Sequence, residues 1–114
     1  MSLKIYHNPR CRKSRKTLAI IEDNGGNVEI VLYLEDPPTV DELRELLSML
    51  GLRPDELVRK GKSIWKEEFK DKELGDEEIL LAMAEYPKLI ERPIVVKGNK
   101  AVLGRPPENV LELL

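Results

Sequence analysis

The chain has 114 residues, which suits one ordinary domain and is too short for two independent hydrophobic cores. Its 19 Lys and Arg residues are offset by 21 Asp and Glu residues, so the formal net charge is only -2, which argues against a general nucleic-acid-binding protein. Hydrophobic residues make up 41%, enough for a packed core, and no apolar run approaches the roughly 18 residues that cross a bilayer. We therefore expect one domain, residues 1–114, with neither a nucleic acid nor a membrane as partner.

Cysteine occurs once in the chain, at position 11. A single Cys excludes an internal disulfide framework and a metal site built from several thiolates, and it is typical of a reducing compartment. The first residues show no basic region followed by a long apolar stretch, as a secretory signal would. These features predict a cytoplasmic location and leave packing or chemistry as the role of the thiol.

The first third of the chain predicts a strand, a helix and a second strand. Residues 3–6 favour a short strand that ends at Asn8-Pro9, and a helical pattern follows over about residues 11–23. Residues 28–34 form a nearly unbroken apolar run, which predicts a strand covered on both faces. Strand, helix and strand in this order indicate a parallel β-α-β unit.

The middle of the chain predicts only helices. Thr39 and Glu42 have the spacing of a capping box, and Gly51 ends the helix that follows them. Beyond it we predict a short helix over 54–58, an exposed and partly helical charged stretch over 59–73, and a helix over 76–86. We interpret the segment over about residues 39–86 as a helical insertion between two halves of one sheet.

The last segment predicts a hairpin and a terminal helix. Residues 92–97 and 100–103 favour strands that a tight turn at Gly98-Asn99 joins. Pro107 suits the first turn of a helix, whose predicted buried residues are Val110, Leu111 and Leu114. The complete order, β-α-β, helices, β-β-α, predicts an α/β fold with a mixed sheet of about four strands.

Cys11 is the strongest candidate for chemistry. It lies at the predicted start of the first helix, where free backbone N–H groups favour an anion such as a thiolate. Ser14 and Arg15, three and four residues further, fall on its side of the helix and are expected to reach the sulfur. Its neighbours include many cations, which also lower a thiol pKa: Arg10, Arg12, Lys13, Arg15 and Lys16. The alternative is an inert packing residue beside a solvated basic helix face.

Dithiol exchange within the chain is excluded, because position 14 carries Ser where a second Cys would be needed. An adduct or mixed disulfide on Cys11 therefore requires an external thiol. In a reducing cell, glutathione or a glutaredoxin is the expected donor.

The segment around Cys11 also resembles a known family. Residues 6–18 read Tyr-His-Asn-Pro-Arg-Cys-Arg-Lys-Ser-Arg-Lys-Thr-Leu, which is similar to the signature of the ArsC arsenate reductases related to glutaredoxins. The resemblance continues in Tyr-Leu-Glu-Asp-Pro-Pro at 33–38, Leu-Val-Arg-Lys at 57–60, Glu-Arg-Pro-Ile-Val-Val at 91–96 and Gly-Arg-Pro-Pro-Glu at 104–108. It implies a thioredoxin-like fold with an inserted helical segment, and a cis peptide bond before Pro93.

The resemblance further implies roles for single residues. Cys11 would attack arsenate, and three arginines, Arg59, Arg92 and Arg105, would hold the oxyanion. Guanidinium groups suit this task because they present fixed forks of donors and keep their charge. Each arginine also has an ordinary alternative as a surface or ion-paired residue; Arg92, for instance, is adjacent to Glu91.

Four further residues are expected to support the site. His7 would hold or tune the thiolate, Asn8 and Ser14 would shape the anion loop, and Pro93 would lie beside the cysteine. The alternative for the first three is a purely local role in capping and turn hydrogen bonds. Trp65 is expected only to pack or to form an exposed contact. A metal site is not expected, because one His and scattered carboxylates do not form a ligand set.

Three functions are compatible with this pattern. The first is a thiol-dependent oxidoreductase that reduces arsenate to arsenite, with no bound cofactor and with glutathione as reducing co-substrate and a glutaredoxin as partner. The second is a glutathione-linked thiol reductase without arsenate activity. The third is a regulator that binds RNA polymerase, similar to the Spx proteins, but the switch of those proteins needs the second thiol that position 14 lacks.

Overall fold

The computed structural model describes residues 3–25, 27–69 and 72–114, and the chain in it falls into two compact units. The first unit contains the residues up to Asp36 together with Arg92–Leu114, and the second contains Pro37–Glu91. The helical insertion predicted over about 39–86 accounts for most of the second unit. The prediction that 1–114 is a single domain stays a prediction.

A four-stranded mixed sheet forms the centre of the first unit, as the sequence predicted. Its strand order is β2-β1-β3-β4, with β1 parallel to β2 and with both other neighbouring pairs antiparallel. The strands are β1 Leu3–Tyr6, β2 Val28–Val31, β3 Ile94–Lys97 and β4 Lys100–Leu103. The turn between β3 and β4 contains Gly98 with a φ of 63°, a conformation that glycine adopts without steric cost.

The strand register brings four chain segments to one end of this sheet, including the one that follows β2. Tyr6, the last residue of β1, is opposite both Val31 of β2 and Ile94, the first residue of β3. Ile94 is in turn opposite Leu103, the last residue of β4. The loop after β1, the loop before β3 and the loop after β4 therefore all leave the sheet at this end.

Helix α1, Arg12–Asp23, and a C-terminal 3-10 helix, Pro107–Leu113, pack against each other and complete the first unit. Its core joins strand, α1 and 3-10 residues that are almost fully buried: Leu3, Ile5, Ile21, Val95, Val110 and Leu113. Burial of this apolar surface fixes α1 against the sheet. The start of α1 is thereby held near the strand ends.

Strand β2 differs from the prediction of a strand over residues 28–34 that is covered on both faces. It ends at Val31 and lies at the edge of the sheet, and Ile30 is 47% exposed. The chain then turns, since the N–H groups of Glu35 and Asp36 both donate to the carbonyl of Leu32. An apolar run does not distinguish a central strand from an edge strand, because distant segments decide which strands have two neighbours.

The end of the chain also differs from the prediction. A 3-10 helix has three residues per turn, so Pro107, Val110 and Leu113 lie on one side and are buried. Leu111 and Leu114, which the α-helical spacing placed in the core, are 50% and 42% exposed. The predicted burial was correct for Val110 and wrong for these two leucines.

The second unit is helical, as predicted. Its helices are α2 Val40–Leu50, α3 Pro54–Leu57, α4 Ser63–Glu68 and α5 Asp76–Glu85, followed by a 3-10 helix over Pro87–Leu89. The predicted capping box is present, since Glu42 N–H donates to Thr39 Oγ1 (3.1 Å) and Thr39 N–H donates to Glu42 Oε1 (3.2 Å). Gly51 ends α2 with a φ of 69°.

Within the charged stretch 59–73, α4 is the helical part, and the rings of Trp65 and Phe69 pack 5.3 Å apart. Lys70 and Asp71 lie outside the described residues. In the part of the chain that the structure describes, no helix has the length and the apolar character needed to cross a membrane.

Candidate active site

Cys11 is the residue immediately before helix α1. Its backbone is extended, with φ of -95° and ψ of 123°, and its N–H donates to the carbonyl of Asn8 (3.0 Å), which closes a turn after β1. A residue in this position directs its side chain toward the free N–H groups of the first helical turn. The side chain is only half-buried, so the sulfur remains accessible.

The surroundings of Cys11 favour its thiolate. Burial raises the pKa of the thiol, but the backbone N–H of Ser14 and the positive charge of Arg92 lower it, as do the N–H of Lys13 and a hydrogen bond from the Arg92 side chain. The lowering effects dominate, so the pKa lies below its ordinary value. A larger fraction of Cys11 is therefore thiolate at neutral pH than in an ordinary cysteine.

Arg92 reaches Cys11 from the neighbouring part of the sheet. It is followed by a cis peptide bond to the buried Pro93, and β3 begins at the next residue. Because β3 pairs with β1, the loop that carries Arg92 lies at the same sheet end as the loop that carries Cys11. The family resemblance implied the cis bond at Pro93, whereas a second one, between Arg105 and Pro106, was not expected.

A buried hydrogen-bond network holds the loop between β1 and α1. A hydrogen bond joins Nδ1 of His7 and Oγ of Ser14 (2.7 Å), and the N–H of Asn8 donates to the same Oγ (3.0 Å). Burial lowers the pKa of His7, and the charge of Arg15 lowers it further, so the imidazole is neutral at pH 7. We expected the Ser14 side chain at the sulfur, but the hydroxyl binds His7 and Asn8, and only the Ser14 N–H acts on Cys11.

Arg15 has a different contact from the one that helical spacing suggested. Its Nη1 donates to the carbonyl oxygen of Pro9 (2.9 Å), so it supports the turn before Cys11. The guanidinium that hydrogen-bonds the thiol comes from Arg92. Arg15 thus belongs to the framework of the loop.

The loop that carries Arg105 is fixed at Gly104. The N–H of Gly104 donates to the carbonyl of Pro93 (2.9 Å), and the hydroxyl of Thr17 donates to the carbonyl of Lys13 (2.8 Å) and contacts that of Gly104 (3.4 Å). A Cβ at position 104 would lie only 2.5 Å from Oγ1 of Thr17 and 2.7 Å from Cγ of Pro93. Any side chain there would force Thr17 or Pro93 to shift. Arg105 itself follows β4 and is exposed, at the sheet end where Cys11 lies.

Thr17 and Gly104 were not among the residues that we singled out from the sequence. Both occur in segments that resemble the family, within 6–18 and 104–108, and Thr17 is a fully buried polar residue of α1. The position of Thr17 on the apolar side of the predicted helix could have identified it, because a buried hydroxyl needs a hydrogen-bond partner inside the protein.

Arg59 belongs to the second unit. Val58 and Ile90 form a β-bridge, in which the N–H of Arg59 donates to Leu89 (2.7 Å) and the N–H of Glu91 donates to Leu57 (3.0 Å). Nε of Arg59 lies 3.9 Å from Oε1 of Glu91, and both side chains are largely buried. This carboxylate neutralises part of the charge on Arg59 and orients it.

No group of three or more His, Cys, Asp or Glu side chains that could hold a metal ion occurs within residues 3–25, 27–69 and 72–114. The polar groups assembled near Cys11 are instead N–H donors and guanidinium groups. Such a set binds an anion rather than a cation.

Comparison with known proteins gives a consistent result. The model of the ArsC family matches residues 6–113. A Haemophilus influenzae protein named arsenate reductase is 44% identical over 116 residues, which cover both chains completely, and the Escherichia coli K12 protein YfgD is 50% identical over 98% of this chain and 96% of its own. A solved structure of an arsenate reductase from Vibrio cholerae has a TM-score of 0.95 at 49% identity and covers 100% of this chain and 98% of its own. The predicted thioredoxin-like fold is thereby confirmed.

Proposed function

The chain belongs to the ArsC family, and from this premise we propose that it is a thiol-dependent oxidoreductase that reduces arsenate to arsenite, with glutathione as reductant and a glutaredoxin as partner. The observation that carries the proposal is the half-buried Cys11, whose pKa is lowered by the Ser14 N–H and by Arg92. Relatives named arsenate reductase at 41–44% identity support the choice of substrate.

The first step forms a bond between Cys11 and arsenic. The thiolate attacks the As(V) centre of arsenate, an S–As bond forms, and one arsenate oxygen leaves as water after taking up protons. The N-terminal N–H groups of α1 and the Arg92 guanidinium both act at the Cys11 sulfur. There they would offset the negative charge of the approaching anion. The oxidation state of arsenic does not change in this step.

The second step transfers two electrons. The thiolate of glutathione attacks the Cys11 sulfur, an S–S bond forms, and the electron pair of the S–As bond passes to arsenic, which leaves as As(III) in arsenite. The product is a mixed disulfide between Cys11 and glutathione. A glutaredoxin thiolate then attacks the glutathione sulfur and releases Cys11 as thiolate, which completes the cycle.

The arginines have separate parts in this proposal. Arg92 acts on both the thiolate and the bound anion, because its side chain already hydrogen-bonds the sulfur. Arg105 and Arg59 are assigned to the oxyanion through the family resemblance. Support for Arg105 comes from its loop, which Gly104 fixes to Pro93 at the sheet end that carries Cys11.

The supporting residues hold the loop rather than react. His7, Asn8 and Ser14 form one hydrogen-bonded group beneath Cys11, and Arg15 binds the carbonyl of Pro9. We propose no bound cofactor, and we place the activity in the reducing cytoplasm, where a single accessible thiol stays reduced.

The test is a coupled assay with purified protein, arsenate, glutathione, glutaredoxin, glutathione reductase and NADPH, in which NADPH consumption is followed. Arsenate-dependent turnover that Cys11→Ser abolishes is the expected result. Arg105→Ala should lower kcat/KM for arsenate about 10- to 100-fold, the loss of one charge-assisted contact, while Cys11 alkylation stays nearly unchanged. Arg53→Ala, which removes an exposed arginine of the second unit, serves as the matched control and should leave turnover unchanged.

A second candidate function is a reductase of glutathione mixed disulfides without arsenate activity. The accessible, low-pKa thiol of Cys11 would serve it equally well. No arsenate-dependent turnover, together with rapid formation and reduction of a Cys11–glutathione disulfide, would favour this alternative and contradict the arsenate proposal.

A further inference from the structure

Four exposed cations lie close to Cys11 in the sequence. Arg10 lies in the turn before helix α1, and Arg12, Lys13 and Lys16 lie on its first two turns. We call these four residues the basic rim. All belong to the same unit as Cys11, which is itself only half-buried.

Among the residues that the structure describes, the basic rim has no ion-pair partner. Within the described part of the chain, the ion pairs join other cations to acids, as for Arg44 with Asp41 and Glu77 and for Arg53 with Asp55. None of the four rim residues takes part in such a pair, although the chain carries more acidic than basic residues. The exposed positive charge of the rim is therefore not compensated by any ion pair within residues 3–25, 27–69 and 72–114.

The rim also opposes the usual preferences of a helix. The first turn of α1 contains no acidic residue, although the positive end of the helix dipole favours acids there. Arg12 and Lys16 are one turn apart on the exposed side, an arrangement that destabilises a helix through repulsion of like charges. Residues that break several local rules without an internal compensation indicate a function.

Activation of the cysteine does not account for the rim. The lowered pKa of Cys11 is due to the Ser14 and Lys13 N–H groups and to Arg92, which come from the backbone of α1 and from the loop before β3. The guanidinium and ammonium groups of the rim point to solvent instead. Their role concerns something that approaches from outside.

We propose that the basic rim is a docking surface for a protein thiol donor whose reactive cysteine is surrounded by acidic side chains. The inference rests on the proposed function in one respect, the need for an external thiol at Cys11. The donor thiolate attacks the glutathione sulfur of a Cys11–glutathione disulfide, the S–S bond breaks, Cys11 leaves as thiolate, and the glutathione is now bound to the donor in a new disulfide.

An acidic protein surface suits the basic rim better than glutathione or a nucleic acid does. Glutathione carries two carboxylates and one ammonium, so it would use only part of a four-cation rim that extends about 6 Å along α1 from Arg12 to Lys16. A nucleic acid requires a larger basic surface than this chain, with a net charge of -2, provides. An acidic face around a donor thiol is opposite in charge to the rim, and thiol exchange at Cys11 brings the two surfaces together.

The experiment starts from purified protein with a preformed Cys11–glutathione disulfide and contains no arsenate. Second-order rate constants for its reduction are measured with a glutaredoxin that is acidic around its active cysteine, with glutathione, and with 2-mercaptoethanol, each at about 0.02 M and 0.5 M salt. The test variant is R12Q/K13Q/K16Q. The control is K66Q/K88Q/K100Q, which removes three exposed lysines elsewhere in the chain.

The expected result is a loss of about 10-fold or more in the glutaredoxin rate for the test variant at low salt, which narrows to within about 2-fold at high salt because ions screen the attraction. The rates with glutathione and 2-mercaptoethanol should stay within about 2-fold, and the control variant should match the unmodified protein. This outcome is independent of whether the chain reduces arsenate.

Three outcomes would overturn the inference. An equal loss with glutathione would mean that the rim binds the carboxylates of the tripeptide. A parallel loss with 2-mercaptoethanol, or in the alkylation rate of reduced Cys11, would mean that the rim acts on the sulfur. Tight binding of labelled single-stranded DNA that the test variant loses, with the glutaredoxin rate unchanged, would identify a nucleic-acid surface.

Discussion

The Oγ atom of Ser14 lies 2.7 Å from Nδ1 of His7, and both side chains are buried. The same oxygen accepts the N–H of Asn8, so one hydroxyl connects helix α1 to two successive residues of the loop that leads to Cys11. The position of Cys11 therefore depends on the Ser14 hydroxyl, which holds the loop before it.

Ser14→Ala should destabilise the protein by about 1–3 kcal/mol, because it leaves the Asn8 N–H and His7 Nδ1 without their common partner. Urea unfolding followed by circular dichroism measures the change. Ser48→Ala, at an exposed position of α2, is the control and should change stability by less than about 0.5 kcal/mol. Equal, small effects for both variants would show that the network contributes nothing.

Replacement of Arg92 by Met should raise the pKa of Cys11, because the positive charge and the hydrogen bond that favour the thiolate are both removed. The rate of alkylation by iodoacetamide, measured against pH, should show its midpoint at higher pH than in the unmodified protein. Arg105→Ala should leave the midpoint nearly in place. A midpoint that Arg92→Met does not move would mean that the N–H groups of α1 alone activate the thiol.

The stability of the protein should fall as the pH is lowered through the titration of His7. Burial lowers the pKa of the folded imidazole below 6.5, so the unfolded chain binds more protons in this range and unfolding becomes more favourable below about pH 6.5. His7 is the only histidine, so the comparison with His7→Gln isolates its effect. The difference in unfolding free energy between the two proteins should shrink from pH 7.5 to pH 5.5; a constant difference would contradict the assignment.

Gly104→Ala should destabilise the protein by about 1–3 kcal/mol, because the added Cβ would overlap Thr17 and Pro93. The same substitution at Gly61, where no atom lies within 4 Å of the added Cβ, is the control and should be neutral or slightly stabilising. We also expect weaker arsenate use in Gly104→Ala, since the loop of Arg105 has to shift. Tolerance of alanine at both positions would mean that this loop is not fixed.

Leu113→Ala and Leu111→Ala compare two leucines of the C-terminal 3-10 helix. Leu113 is 6% exposed and belongs to the core, so its truncation should cost about 2–4 kcal/mol. Leu111 is 50% exposed, and its truncation should cost less than about 1 kcal/mol. The reverse order of the two midpoints in urea unfolding would support an α-helical spacing at this end of the chain.

The elements that the sequence predicted well have local signals. The capping box of Thr39 and Glu42 and the turn at Gly98 depend on hydrogen bonds and backbone angles within a few residues, and both are present as predicted. The first strand ends where Asn8-Pro9 indicated. In each case the neighbouring side chains alone decide the conformation.

The features that the sequence did not predict depend on distant contacts. Ile30 is an apolar, β-branched residue, which is the type expected in a covered strand. The neighbours of β2 in the sheet, however, are determined by segments far along the chain. Leu111 and Leu114 are exposed because residues 107–113 form a 3-10 helix, whose three-residue turn places Pro107, Val110 and Leu113 on the buried side. The interaction of Arg92 with Cys11 was not predicted: the family resemblance assigned Arg92 to the oxyanion only, and no periodicity connects positions so far apart.

Strands β1 and β3, from which the segments of Cys11 and Arg92 leave the sheet, each have a hydrogen-bonded neighbour on both sides, whereas β4 is at an edge. Transient local opening is therefore rarer at the nucleophile and its guanidinium than at the loop of Arg105. In hydrogen–deuterium exchange, amides of β1 and β3 are accordingly expected to exchange more slowly than those of β4. The charge of Arg92 beside the Cys11 sulfur is thus carried by the better protected strands of the sheet, and Arg105 follows the less protected one.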